Sequence, residues 1–126
     1  MLKKVLYIDD ELINLQLFEI HFEDAYQVRT TSDPLEGLRI INEEPDIAAV
    51  VSDYKMPKMD GIELIKKAVE LHPNMIFFVI SGFDLNKEIK DLIDSGTVKE
   101  YFRKPFDLEI MEERLDRILN ESTEES

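Results

Sequence analysis

Ile47-Ala48-Ala49-Val50-Val51, with Asp53 two residues beyond it, is the stretch on which the fold turns. Five apolar residues without alternation mark a strand covered on both faces, as in a parallel sheet between two layers of helices. The same pattern recurs on either side. Val5-Leu6-Tyr7-Ile8 runs into Asp9-Asp10, and Met75-Ile76-Phe77-Phe78-Val79-Ile80 runs into Ser81. Tyr26-Gln27-Val28-Arg29-Thr30 alternates and suits a more exposed strand, and Glu100-Tyr101-Phe102 is a short strand ahead of Lys104. Helical stretches separate them. They are Glu11 to Glu23, a helix opened by Ser32-Asp33-Pro34 and ending near Asn42, Gly61 to Leu71, Leu85 to Ser95, and Asp107 to about Asn120. Pro34 suits a first helical turn, and Gly96 suits a left-handed helix terminator. Strands alternating with helices imply right-handed crossovers. The fold expected is α/β, doubly wound, with a five-stranded parallel sheet and five helices.

The composition narrows the function. The 126 residues fit one domain, and 44% hydrophobic content is enough for a packed interior. A net charge of −13 argues against a nucleic-acid surface, which needs clustered Lys and Arg. The absence of cysteine removes disulfides, thiolate metal sites and Cys nucleophiles, and two histidines make a multi-His zinc site improbable. The apolar run at the N-terminus is too short for a signal peptide or a membrane span, so a cytoplasmic protein is expected. No internal repeat is visible. Glu121 to Ser126 is polar and acidic, and reads as a frayed tail or the start of a linker.

In an open α/β sheet, ligands gather beyond the C-terminal ends of the strands. Asp9, Asp10, Asp53, Ser81 and Lys104 all follow strands and converge on that edge. Three carboxylates in one place repel one another unless a cation offsets them. An all-oxygen acidic cluster without His or Cys suits Mg²⁺.

These residues resemble the receiver domain of bacterial response regulators, the CheY-like phosphoacceptors of two-component signalling. The match rests on Asp9-Asp10, on Asp53-Tyr-Lys-Met-Pro57-Lys-Met-Asp60-Gly61, on Ser81-Gly82, and on Tyr101-Phe-Arg-Lys104-Pro105-Phe106, in order and with family-like spacing. It runs from about Lys3 to Asn120. It implies a receiver domain over residues 1–120 and a flavodoxin-like strand order of 2-1-3-4-5. It implies that Asp53 takes a phosphoryl group from a histidine kinase or phosphotransfer protein in phosphorelay signalling. Asp10, Asp53 and the backbone carbonyl of Lys55 would hold Mg²⁺ directly, with Asp9 acting through a bound water. Lys104 would pair with Asp53 and later with the phosphoryl oxygens, across a cis Lys104–Pro105 peptide. Ser81 would donate its hydroxyl to the phosphoryl group, and Tyr101 would turn inward behind it. That would switch the face formed by the fourth helix, fifth strand and fifth helix, toward a downstream effector, an attached output domain or a second copy of the chain. The domain would be no enzyme beyond its own Mg²⁺-dependent phosphorylation and dephosphorylation.

The remaining residues are weighed singly. Asp60 reads as a helix cap, Asn14 as a local hydrogen-bonder, and His21 and His72 as bystanders. Lys55 and Phe83 stand where the family borders the path of the hydrolytic water. Neither suits holding a water, so a long-lived phosphorylated state is expected, with Lys55 reaching toward the phosphoryl oxygens. Leu108, Met111, Leu115, Ile118 and Leu119 form a core stripe, which leaves Ile110 outside it, near Arg114 and Arg117, as a candidate contact. Leu12, with Ile13 and Leu17, is a candidate docking contact on the first helix, where family kinases and phosphotransfer proteins bind. Two other classes compete. An aspartyl-phosphate phosphohydrolase typically has a second Asp two residues after the nucleophile, where this chain has Lys55. A flavin-binding module wants a phosphate loop where this chain has Asp9-Asp10-Glu11.

Overall fold

The computed structural model describes residues 2–125, with side chains placed through Glu121. The order is β1 (Lys4–Ile8), α1 (Leu12–Phe22), β2 (Gln27–Thr31), α2 (Pro34–Glu43), β3 (Ile47–Asp53), α3 (Gly61–Leu71), β4 (Ile76–Ser81), α4 (Lys87–Asp94), β5 (Val98–Arg103) and α5 (Leu108–Glu125). All pairings are parallel, and the strand order is β2-β1-β3-β4-β5. The expected doubly wound sheet and its order are both present.

Two-sided burial explains the unbroken apolar runs. Alternate residues of each central strand enter different cores. Leu6, Ile8, Val50, Phe77 and Val79 face the core shared with Ile40, Ile41, Ile62, Leu64, Ile65 and Ile89, from α2, α3 and α4. Val5, Tyr7, Ala49, Val51, Phe78 and Ile80 face Leu15, Phe18, Phe22, Met111, Leu115 and Leu119, from α1 and α5. On that side Tyr7 stacks on Phe18 with ring centroids 4.3 Å apart, and Phe18 on Phe22 at 4.3 Å. The expected α5 stripe holds, with Leu108 and Ile118 at its partly buried margin.

Local chemistry sets the helix starts. Asp33 caps α2 by accepting from the Leu35 amide at 2.9 Å. Asp60 caps α3 by accepting from the Glu63 amide at 2.9 Å, as expected. Asn86 accepts from the Ile89 amide at 2.8 Å, so α4 begins at Lys87 and not at Leu85. Gly96 ends that helix region with a φ of +83°. The polar stretch after Asn120, expected to fray, has helical backbone through Glu125; Ser126 lies outside the described residues. Among the described residues no helix is long and apolar enough to cross a membrane.

Candidate functional site

Parallel register brings the strand ends together. Ile8 lies opposite Ser52, Asp53 opposite Ile80, and Ser81 opposite Arg103. The residues just past these positions therefore share one edge. One oxygen each from Asp9, Asp10 and Asp53 lies within 4.8 Å of the others, with Asp9 and Asp53 buried and Asp10 exposed. Asp10 and Asp53 border an open cleft of about 270 Å³, lined also by Glu11, Lys55, Ser81, Gly82, Phe83 and Lys104.

Asp9 is held from three directions. It accepts from the Tyr7 hydroxyl at 2.7 Å, the Glu11 amide at 3.0 Å and Asn14 Nδ2 at 3.0 Å. Asn14 is thus the local hydrogen-bonder expected. Burial and the adjacent Asp9 charge push the Tyr7 phenol well above its ordinary range, so it stays a donor.

Asp53 accepts from Lys104 Nζ at 3.0 Å. Its carboxyl is pushed up to about 7, chiefly by burial. The hydrogen bond from Lys104 pulls the other way, and the Asp9 charge adds to the rise. Burial alone would lower Lys104, but Asp53, Asp9 and Glu11 together raise it, so it stays a cation. Lys104 Nζ also lies 3.1 Å from Glu11 and 3.7 Å from Asp9. The Lys104–Pro105 peptide is cis, and the Lys104 amide donates to the Ser81 carbonyl at 2.8 Å.

The backbone of Asp53 is set by its surroundings. Ser52 Oγ donates to its carbonyl at 3.0 Å, and the Gly61 amide donates to the Tyr54 carbonyl at 2.7 Å. This closure draws α3 so near that a Cβ on Gly61 would lie 2.3 Å from the Asp53 carbonyl oxygen.

Ser81 and Tyr101 meet at Phe83. Ser81 Oγ is buried and accepts from the Phe83 amide at 3.0 Å, while the Tyr101 hydroxyl donates to the Phe83 carbonyl. The β4–α4 loop thus holds both expected switch residues. Lys55 is expected to reach toward the phosphoryl oxygens. It lines the cleft, and its ammonium sits over the Tyr54 ring, 4.3 Å from the centroid. The attraction of a cation to an aromatic face keeps it there.

The candidate contact residues do not gather in one place. Leu12, Ile13 and Leu17 are exposed on α1, and so is Ile20, which the sequence reading missed although it follows Leu17 and Ile13 at helical spacing. A second groove, of about 370 Å³, runs beside α1 and is lined by Glu11, Asn14, Leu17, Lys104, Pro105, Phe106 and Leu108. Ile110 is exposed on α5, where Arg114 is committed to Glu100. His21 bonds Glu112 at 2.9 Å and His72 bonds Asn42 at 3.0 Å, both far from the cleft. Glu11, Tyr7 and Gly61 were missed as site residues. The only signal for Glu11 was a third acid directly after Asp9-Asp10.

Comparison with known proteins points one way. The family model described as response regulator receiver domain matches residues 5–116. The sporulation initiation phosphotransferase F of Bacillus subtilis is 31% identical over 94% of this chain and 95% of its own length. The uncharacterized transcriptional regulatory protein YesN of the same organism is 34% identical over 94% of this chain, which spans only 33% of that protein. The crystal structure of a CheY-like response regulator receiver domain protein from Methanospirillum hungatei superposes with a TM-score of 0.92 at 28% identity, covering 100% of both chains.

Proposed function

The chain belongs to the response regulator receiver domain family, and from that premise we propose that Asp53 is its phosphoacceptor in a phosphorelay. The observation that carries the assignment is the Asp53–Lys104 contact at 3.0 Å inside a ring of acids. A carboxylate oxygen of Asp53 attacks the phosphorus of a phosphohistidine. The new O–P bond forms as the P–N bond breaks, and the imidazole leaves with its electron pair and takes up a proton. Lys104 is placed to follow the charge from the carboxylate onto the phosphoryl oxygens. Ser81 Oγ accepts from the Phe83 amide, which leaves its hydroxyl proton to donate to the phosphoryl group, and drawing Oγ toward that group pulls on the loop that also anchors Tyr101. The face of α4, β5 and α5 then reads out the change, to an effector, an output domain or a second copy.

The acidic trio fits a hard divalent cation, because all its donors are oxygen and, among the described residues, their repulsion is otherwise offset by Lys104 alone. Asp10, Asp53 and the Lys55 carbonyl would hold Mg²⁺, with the Asp9 carboxylate beside them. When bound, the ion would supply charge neutralisation for the transferring phosphoryl group. For the donor protein we favour the α1 side, where Leu12, Ile13 and Leu17 are exposed and Leu17 lines the groove that shares Glu11 and Lys104 with the cleft. The compartment that goes with such a donor is the cytoplasm. The phosphohydrolase and flavin alternatives have nothing in the site to favour them.

The test is direct. Acetyl phosphate with Mg²⁺ should add one phosphoryl mass to the wild type and none to Asp53→Asn, and chelation should nearly stop it. A phosphoryl mass retained in Asp53→Asn at the wild-type rate removes the assignment.

A further inference from the structure

Among the described residues, Glu11 and Lys104 alone line both the acidic cleft and the groove beside α1. Their side chains meet at 3.1 Å and so form the wall between the two spaces. Lys104 is therefore shared. Its ammonium serves Asp53 at 3.0 Å and Glu11 at 3.1 Å. Asp53 is buried in the cleft, whereas the Glu11 side chain is 57% exposed. The Glu11 backbone is fixed independently. Its amide donates to Asp9, and its carbonyl accepts from the Asn14 and Leu15 amides. Nothing in those bonds requires a carboxylate on the side chain. Among the described residues its partner is Lys104, and it adds a negative charge where an anionic phosphoryl group must enter.

We infer that Glu11 is a positioning residue that competes with the phosphoryl group for Lys104 and so sets how readily the acceptor site is charged. This rests on the reading of Asp53 as phosphoacceptor. Before transfer, Lys104 is divided among Asp53, Glu11 and, at 3.7 Å, Asp9. After transfer, the phosphoryl oxygens offer the ammonium more charge than Glu11 does, and Lys104 leaves the wall. Glu11→Gln keeps the side-chain shape and removes the charge. It releases Lys104 and removes one repulsive anion, and both effects favour an incoming phosphoryl group. Because Glu11 is largely solvated, the gain is set by a partly screened ion pair, about two- to fivefold.

The probe is beryllofluoride with saturating Mg²⁺, a stable mimic of the aspartyl phosphate, titrated by ¹⁹F NMR. In low salt Glu11→Gln should bind it about two- to fivefold tighter than wild type, with Glu11→Asp between them. The gap should close toward 1 M salt, where the screening length falls to about 3 Å. A general loosening of the fold would lower the melting temperature of Glu11→Gln and would not give a salt-dependent gain in affinity. If wild type binds beryllofluoride and Glu11→Gln binds it equally or more weakly, the competition is refuted and the phosphoacceptor reading stands. If wild type takes up no beryllofluoride at all, both fall together.

Discussion

Asp53 sits where the fold resists its charge. Its ordinary value is 3.8 and the native value is about 7, raised chiefly by burial. Between those two pH values the native state holds a proton that the unfolded chain has lost. Stability therefore falls as pH rises through that window, the reverse of an ordinary salt-bridged aspartate. Asp53→Asn removes the cost and does not strand Lys104, which keeps Glu11 and Asp9. Without divalent metal, Asp53→Asn should melt above wild type at pH 8, and the gap should narrow steadily toward pH 5. A gap independent of pH would show that Asp53 ionises freely in the fold. The strained carboxylate itself was legible in the sequence, because an acid after a fully buried strand has only the ligand edge to occupy. The sharing of Lys104 was not legible. It depends on how far two side chains 93 positions apart reach across one edge.

At the scale of elements, the turn between β3 and α3 ties architecture to chemistry. Gly61 packs against the Asp53 carbonyl with no room for a methyl group, since a Cβ would stand 2.3 Å from backbone oxygen. Backbone cannot rotate away as a side chain can. Gly61→Ala must therefore displace either the start of α3 or the end of β3, at about 1–3 kcal/mol for an overpacked site. It should lower the melting temperature and slow phosphorylation together, because the displaced strand end carries the acceptor. Asp60→Ala, one residue away, loses only a helix cap, worth about 1 kcal/mol, and should be phosphorylated at the wild-type rate. Equal phosphorylation rates in the two variants would contradict the coupling. Asp60 as a cap was readable from Asp-Gly ahead of an apolar helical pattern. The tight contact of Gly61 was not, because a glycine at a helix start has the same sequence signature whether or not backbone presses against it. Strand existence was likewise written in the apolar runs, while boundaries slipped by a residue or two. β2 begins after Tyr26, whose side chain turns into the α1–α5 core. The strand order came from family resemblance, since periodicity shows which faces are buried but not which strand lies beside which.

For the whole molecule, charge is the dominant long-range term. A net charge of −13 on one small domain makes the folded state self-repelling, and the acidic edge concentrates that repulsion. Two kinds of relief can be separated. Monovalent salt screens exposed charges everywhere, so NaCl should raise the melting temperature gradually and in any variant. A divalent ion held by the acidic trio acts differently. It stabilises by mass action on the native state alone, in proportion to the logarithm of its concentration above the dissociation constant. Mg²⁺ should therefore raise the melting temperature beyond NaCl at matched ionic strength. The excess should be larger at pH 8 than at pH 5, because at pH 5 the ion must displace a proton from Asp53. Asp10 is the discriminating residue, being exposed while Asp9 and Asp53 are buried, so Asp10→Asn leaves the interior unchanged. In Asp10→Asn the Mg²⁺ excess should shrink sharply while the NaCl response persists. Should Mg²⁺ and NaCl prove equivalent in wild type at equal ionic strength, the acids are only a repulsive edge, and the cation assigned to them must be withdrawn.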